Sequence, residues 1–189
     1  MGENIKKRSS TKERLKTALI SLCGKKAYYD ITVQEICLQA GLYRSTFYRY
    51  YETKDDMLRE IEQEYIDGVL TLTPNLWRLH SDSTSEEMEQ YRKELTADLQ
   101  YHREHKALSH FLMSPVGDIY FYNKVIASIS SQVHRNYQHY GRPLEKKTEY
   151  EILYFAVGFI STIDRWLEKE DCSPEEFADI LLSIMLKIL

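Results

Sequence analysis

Between Thr32 and Tyr51 the chain reads TVQEICLQAGLYRSTFYRYY, and no other segment constrains the fold as tightly. Val33, Ile36, Cys37 and Ala40 recur at helical spacing and make one apolar face. Gly41 ends that helix, because glycine takes the left-handed terminating conformation at little cost. A second short helix, from about Tyr43 to Tyr50, joins the same core through Phe47, with Leu42 just ahead of it. Two short helices about a glycine turn form a helix-turn-helix, whose second helix fits the DNA major groove. Outside the core that second helix carries Tyr43, Arg44, Ser45, Thr46, Tyr48, Arg49 and Tyr50, with no carboxylate among them. Hydroxyls and guanidiniums of this kind suit phosphate oxygens and purine edges, and arginine can grip guanine through two hydrogen bonds.

Charge is distributed in the same sense. The net charge of −4 conceals a head, residues 1–54, with 11 Lys and Arg against 5 Asp and Glu. The remaining residues, 55–189, hold 14 against 24. A basic head on an acidic body docks one end on phosphate and repels the other. Lys6, Lys7 and Arg8 leave two readings open: an arm for the minor groove, or a solvated tail, the commoner outcome.

Only 7 Gly and 4 Pro punctuate 189 residues, which favours a few long helices over many strands. The first helix is predicted to open at Ser10, with Glu13 completing a capping box and Leu15, Ala18, Leu19, Leu22 and Cys23 on its apolar face. Thr32 and Glu35 make a second box. Thr53 caps a fourth helix with Asp55 and Asp56 in its first turn, running through Met57, Leu58, Ile61 and Tyr65 to Leu70. The stretch around Pro74 reads as a loop as far as about Ser85. Helices are then predicted over 86–102, 105–113, 114–140, 145–169 and 173–189, with Ser114-Pro115 and Ser173-Pro174 as starts and Gly141-Arg142-Pro143 as a break. The expectation is an all-α fold of about nine helices, with a three-helix helix-turn-helix domain over 1–54 and a helical bundle over 55–189.

Several classes are set aside. Cys23, Cys37 and Cys172 are odd in number, lack metal-like spacing and read as small core residues in a reducing compartment. No apolar run reaches the roughly 18–20 residues that span a bilayer, the first ten residues have no apolar signal region, and Lys6 stands where a myristoylation motif wants Ser or Thr. The chain is therefore expected in the cytoplasm, with no membrane partner. No nucleophile–base pair, paired buried carboxylates or phosphate loop stands out, so no catalytic residue and no cofactor are expected. His102 and His105, beside Glu104, are the nearest approach to a metal set and lack a second pair of ligands.

Residues 10–60 resemble the TetR family of bacterial transcription regulators. The likeness is carried by Thr32, Ile36, Ala40, Gly41, Leu42, Thr46, Phe47, Tyr48, Tyr50, Tyr51, Lys54 and Leu58. Tyr43 departs from it where the family usually has Ser or Thr, and Ser45 where Gly is common. The resemblance implies phosphate contacts from Thr32, Thr46, Tyr48, Tyr50 and Lys54, and base reading by Gln34, Tyr43, Arg44, Ser45 and Arg49. Toward the C-terminus, Tyr154-Phe155-Ala156-Val157-Gly158-Phe159, Trp166-Leu167 and Ser173-Pro174-Glu175-Glu176 look like the last two helices of one family subtype. That likeness implies a homodimer joined through Phe155, Gly158, Phe159, Trp166, Leu181 and Ile184, reading a pseudo-palindromic operator in double-stranded DNA.

The middle of the chain has a surplus of aromatics and histidines, among them Trp77, Tyr101 and His110. By the same resemblance Tyr65, Tyr91, Leu95, Phe111, Phe121 and Tyr122 line a pocket for a small apolar or aromatic effector, although aromatics at helical spacing are more often core. The function expected is a ligand-responsive repressor, with the fourth helix as the lever between body and head. The alternative is an activator, or an architectural or protein-recruiting factor of the same fold without an effector.

Overall fold

The computed structural model describes residues 2–75, 78, 83–113, 120–139 and 145–188. Trp77, the Ser114-Pro115 start, Tyr140 and the Gly141–Pro143 break lie outside them, as do the side chains of Lys6, Lys7, Arg8 and Ile188. The described residues contain nine α-helices and no strand: α1 (Gly2–Cys23), α2 (Val33–Ala40), α3 (Arg44–Phe47), α4 (Lys54–Leu72), α5 (Ser85–Glu104), α6 (Lys106–Met113), α7 (Phe121–His139), α8 (Lys146–Lys169) and α9 (Pro174–Ile188). A 3-10 turn, Tyr28–Asp30, follows α1.

Caps set several of these boundaries. Thr32 and Glu35 form the predicted box at α2, and Ser173 and Glu176 form one at α9, where Pro174 takes the first helical position. Thr53 exchanges hydrogen bonds with Asp56 ahead of α4. Two expectations change. α1 starts eight residues before Ser10, so the Ser10–Glu13 box is not needed as a cap: a helix has orphan N–H groups only at its true first turn. α3 is one helical turn and not two, because the chain leaves the α-helix at Tyr48 and turns through Tyr50.

The chain divides into two compact units, residues 1–65 with 107–121, and residues 66–106 with 122–189. The first is built on Leu15, Leu19, Ile31, Ile36, Phe47 and Met57, each almost wholly buried. Along its flank Lys12 pairs with Glu60 (2.6 Å), and Lys16 with Glu64 (2.6 Å) and Glu60 (3.0 Å), tying α1 to α4. Within this unit Phe111 packs on Tyr28, their ring centroids 6.4 Å apart. Tyr65 stands 6.0 Å from the ring of Phe121 and shares a 2.6 Å hydrogen bond with Ser109.

In the second unit α5 packs mainly on α9, where the Arg92 guanidinium donates twice to Asp179 (2.6 and 3.1 Å). Trp166 stacks on Phe177 with centroids 5.0 Å apart, and its indole N–H donates to the Cys172 carbonyl at 3.1 Å. Gly68 leaves room for the Tyr101 phenol where it meets α4: a Cβ there would lie 2.5 Å from the hydroxyl, and the ring would have to shift.

Apolar residues surround much of α8, and the packing sorts them. Ala156, Phe159, Ile163 and Trp166 face inward, while Tyr150, Leu153, Tyr154 and Val157 are exposed on the opposite face, with Ile180 and Ile184 exposed on α9. Of the six residues expected at a dimer interface, Phe159, Trp166 and Leu181 are thus used in the protomer's own core. Gly158 is open, with nothing within 4 Å of a notional Cβ, Ile184 is exposed and Phe155 half-buried. The 3.6-residue period identifies apolar faces but does not rank two of them on one helix.

Candidate nucleic-acid interface

The geometry of the helix-turn-helix starts from its turn. Gly41 has φ +63° and ψ +41°, its N–H donates to the Leu38 carbonyl, and the Leu42 N–H donates to the Cys37 carbonyl (2.8 Å). These two bonds close the end of α2 and aim the chain into α3. From α1 the Arg14 guanidinium clamps the turn, donating to the carbonyls of Ala40 (2.6 Å) and Gly41 (3.3 Å). Nothing in the local pattern announces that clamp, because it links residues 26 positions apart.

Phe47 seats α3. Its ring is fully buried, 5.7 Å from the Tyr51 ring and edge-on to Tyr48 at 5.5 Å. With Phe47 pointing in, Tyr43, Arg44, Ser45, Tyr48 and Arg49 are exposed, and Thr46 and Tyr50 half-buried. Tyr43 begins α3 without a side-chain cap, since a phenol cannot reach the backbone N–H groups, and its ring stands 83% exposed. Arg44 is held in place: it donates to the Tyr48 hydroxyl (3.2 Å), with its guanidinium 5.9 Å from the centre of that ring. A pre-oriented guanidinium loses less rotamer freedom on meeting a base edge.

Two predicted phosphate contacts have other partners. The Lys54 ammonium donates to the carbonyls of Tyr28 (2.9 Å), Tyr29 (3.1 Å) and Ile31 (2.9 Å), lying 4.4 Å from the centre of the Tyr28 ring. All three of its donors are engaged, so it offers a phosphate its charge and no free N–H. The same 3-10 turn is fastened by a hydrogen bond from the Tyr28 hydroxyl to Asp55. The Thr32 hydroxyl donates to Glu35 (2.8 Å) and accepts from the Glu35 N–H (3.3 Å), while Gln34 is exposed beside it.

Glu35 is drawn down to about 2 from an ordinary 4.5, chiefly by the hydrogen bond from Lys26 and then by those from the Thr32 backbone and hydroxyl. A carboxyl depressed in the folded state stabilises fully above its unfolded value and loses that contribution as pH falls through the folded one. Acid unfolding should therefore carry a Glu35-dependent slope between about 4.5 and about 2. In urea melts across that range, Glu35→Gln is expected to flatten it; an unchanged slope would remove Glu35 from the account.

The proposed effector residues fall in both units. Tyr65, Phe111 and Phe121 are buried in the first, and Tyr91 and Leu95 in the second. Tyr122, half-buried, donates to the Val157 carbonyl (3.2 Å) and shares a hydrogen bond with Ser161 (3.3 Å). Among the described residues no group of three or more His, Cys, Asp or Glu is placed to hold a metal, and no helix is long and apolar enough to cross a membrane. The His105 Nδ1 lies 2.8 Å from the Tyr101 carbonyl.

Comparison with known proteins decides what this interface belongs to. Residues 17–61 match the profile described as bacterial regulatory proteins, tetR family, and residues 86–187 match that described as transcriptional regulator C-terminal region. The chain belongs to the TetR family. No curated protein sequence matches it. Among solved structures it is similar to a TetR transcriptional regulator from Streptococcus agalactiae, at 20% identity over 96% of both chains with a TM-score of 0.63. It is also similar to a TetR-family regulator from Syntrophomonas wolfei, at 14% identity over 93% of both chains (TM-score 0.66). A third is the regulator FadR from Bacillus subtilis in complex with stearoyl-CoA, at 12% identity over 94% of this chain and 98% of that one (TM-score 0.63). The fold of this TetR-family chain is that of a DNA-binding transcription regulator, a class without enzymatic activity.

Proposed function

We propose that the protein is a ligand-responsive repressor that binds a pseudo-palindromic operator as a homodimer. The observation that carries this reading is the acid-free exposed face of α3, on which Arg44 is pre-oriented by Tyr48. Residues 1–54 act as the reading head and 55–189 as the sensing and dimerising body. Arg44, Tyr43, Ser45 and Arg49 meet base edges together with Gln34 of α2. Thr46, Tyr48, Tyr50 and Thr32 hold phosphates, and Lys54 adds its charge from the start of α4. The partner subunit covers the exposed face formed by Tyr150, Leu153, Tyr154, Val157, Gly158, Ile180 and Ile184, with Phe155 at its margin. Two recognition helices then meet successive major grooves about 34–36 Å apart. An effector bound in the body shifts the population toward a form in which that spacing is lost, and α4, one helix from Lys54 to Leu72, is the lever.

Anisotropy titrations on the duplex flanking the protein's own gene, against scrambled DNA and across a salt series, test this. Selective binding that weakens with salt is expected. Arg44→Gln should lose about 1–3 kcal/mol of discrimination between operator and scrambled duplex. Equal binding of both duplexes by the unaltered protein, on DNA selected from random sequence as well, would sink the operator-reading proposal. Transcription from the flanking promoter in the presence of protein separates repression from activation.

A further inference from the structure

Asp98, on α5, is fully enclosed at 0% exposure, yet neither of its carboxyl oxygens has a hydrogen-bond partner. The imidazole of His102, one turn further along, comes within 3.4 Å of Oδ1 without completing a hydrogen bond. One turn earlier on the same strip, Glu94 shows how this unit treats a buried carboxylate that serves structure. It accepts from the Asn75 backbone (2.9 Å), the Asn75 side chain (2.6 Å) and Gln90 (2.9 Å). Burying a carboxyl with no completed hydrogen bond is costly, and a side chain left in that condition in a folded protein calls for a donor that the chain itself does not supply.

The neighbourhood defines which ligand. Tyr91, Leu95, Leu99 and His102 share the buried strip with Asp98, so the carboxyl stands among apolar and aromatic side chains of its own helix. On the flank of the strip the Tyr101 phenol lies against Gly68, where a Cβ would make it shift. In such a low-dielectric setting a charge-assisted hydrogen bond is roughly twice as strong as a neutral one. A neutral aromatic would leave both oxygens unanswered, and an anionic one would be repelled.

We propose that Asp98 anchors the N–H-bearing cationic group, a primary ammonium or an amidinium, of an organic effector whose apolar or aromatic body lies along Tyr91 and Leu95. The proposal rests on the effector-sensing reading above and narrows it to a class of ligand. A quaternary ammonium, which has no N–H, binds less well than a primary amine of the same size.

The test uses the full-length protein and three probes of one shape: 4-phenylbutylamine, 4-phenylbutanol and 4-phenylbutyrate. The amine at millimolar concentration is expected to raise the melting temperature by about several degrees, while the alcohol and the acid do not. Without any probe, Asp98→Asn should melt higher than the unaltered protein, because an unanswered buried carboxyl has been removed, and its affinity for the amine should fall at least about tenfold by calorimetry. The comparison of the three probes on the unaltered protein needs no variant to fold. Equal response to the three, no response to the amine, an amine response that survives Asp98→Asn, or stabilisation by Zn2+ that Asp98→Asn abolishes would each overturn the proposal. Operator anisotropy separates the two readings. Asp98-dependent amine binding that leaves DNA affinity unchanged supports the cation site and removes the effector role; release of DNA by the neutral probe alone does the reverse.

Discussion

Phe47→Ala is expected to cost about 3–5 kcal/mol of stability, since a fully buried aromatic is removed from the centre of a small unit that cannot collapse around the gap. Against a total of about 5–15 kcal/mol for an ordinary domain, that is a large share. The loss should be read in DNA binding before it is read in helix content. α3 is a single turn of four residues, far too short to hold its shape alone, so the orientation of Arg44 and Tyr48 depends on the Phe47 ring beneath them. Operator selectivity should vanish while most of the far-ultraviolet dichroism remains at room temperature. Phe47→Leu, which keeps the site apolar and nearly filled, should recover most of both. A cost below about 1 kcal/mol for Phe47→Ala in a urea melt would mean that α3 is seated by something other than this side chain.

The pair Tyr154→Glu and Ile184→Glu should produce the other large effect, on assembly. Both side chains are mostly exposed in the protomer, at 70% and 42%, so the substitutions leave its core intact. In the proposed dimer they place four buried carboxylates in an apolar interface without partners. Sedimentation is expected to show a folded monomer. Because the second half-site of a dimer binds at an effective concentration near millimolar, operator affinity should fall by about 10²–10⁴-fold. A double variant that stays dimeric would move the interface elsewhere. Trp166→Ala is the contrasting change: the indole stacks on Phe177 and donates to Cys172 within one chain, so its removal should lower stability first and alter assembly only as a consequence.

Such contrasts separate what is local in this protein from what is not. The helix starts at Thr32, Thr53 and Ser173 were legible in the sequence because a cap is made by residues three apart, and so was the turn at Gly41, which one residue's backbone freedom decides. The acid-free strip from Tyr43 to Tyr50 needed only the knowledge that Phe47 turns inward. Other features depend on which distant segment lands opposite. Arg14 reaches the carbonyls of Ala40 and Gly41, and Lys54 those of Tyr28, Tyr29 and Ile31, although basic residues near a DNA-reading helix look, in sequence, like phosphate ligands. Glu94 and Asp98 are the same chemistry one turn apart on one helix. Only packing brings Asn75 to the first, and it leaves the second with the His102 ring at 3.4 Å and no completed hydrogen bond.

The sequence by itself determined that the chain is all-α, where most of its helices begin, and which short helix carries an exposed face without acids, since capping, periodicity and turn chemistry act over a few residues. The tertiary structure alone decided which apolar face of α8 is buried and which is exposed, which cations are already engaged, and which buried carboxyl lacks a completed hydrogen bond. Burial and hydrogen bonding between distant residues are properties of the packed chain, and a linear pattern records the residues that take part in them without recording their partners.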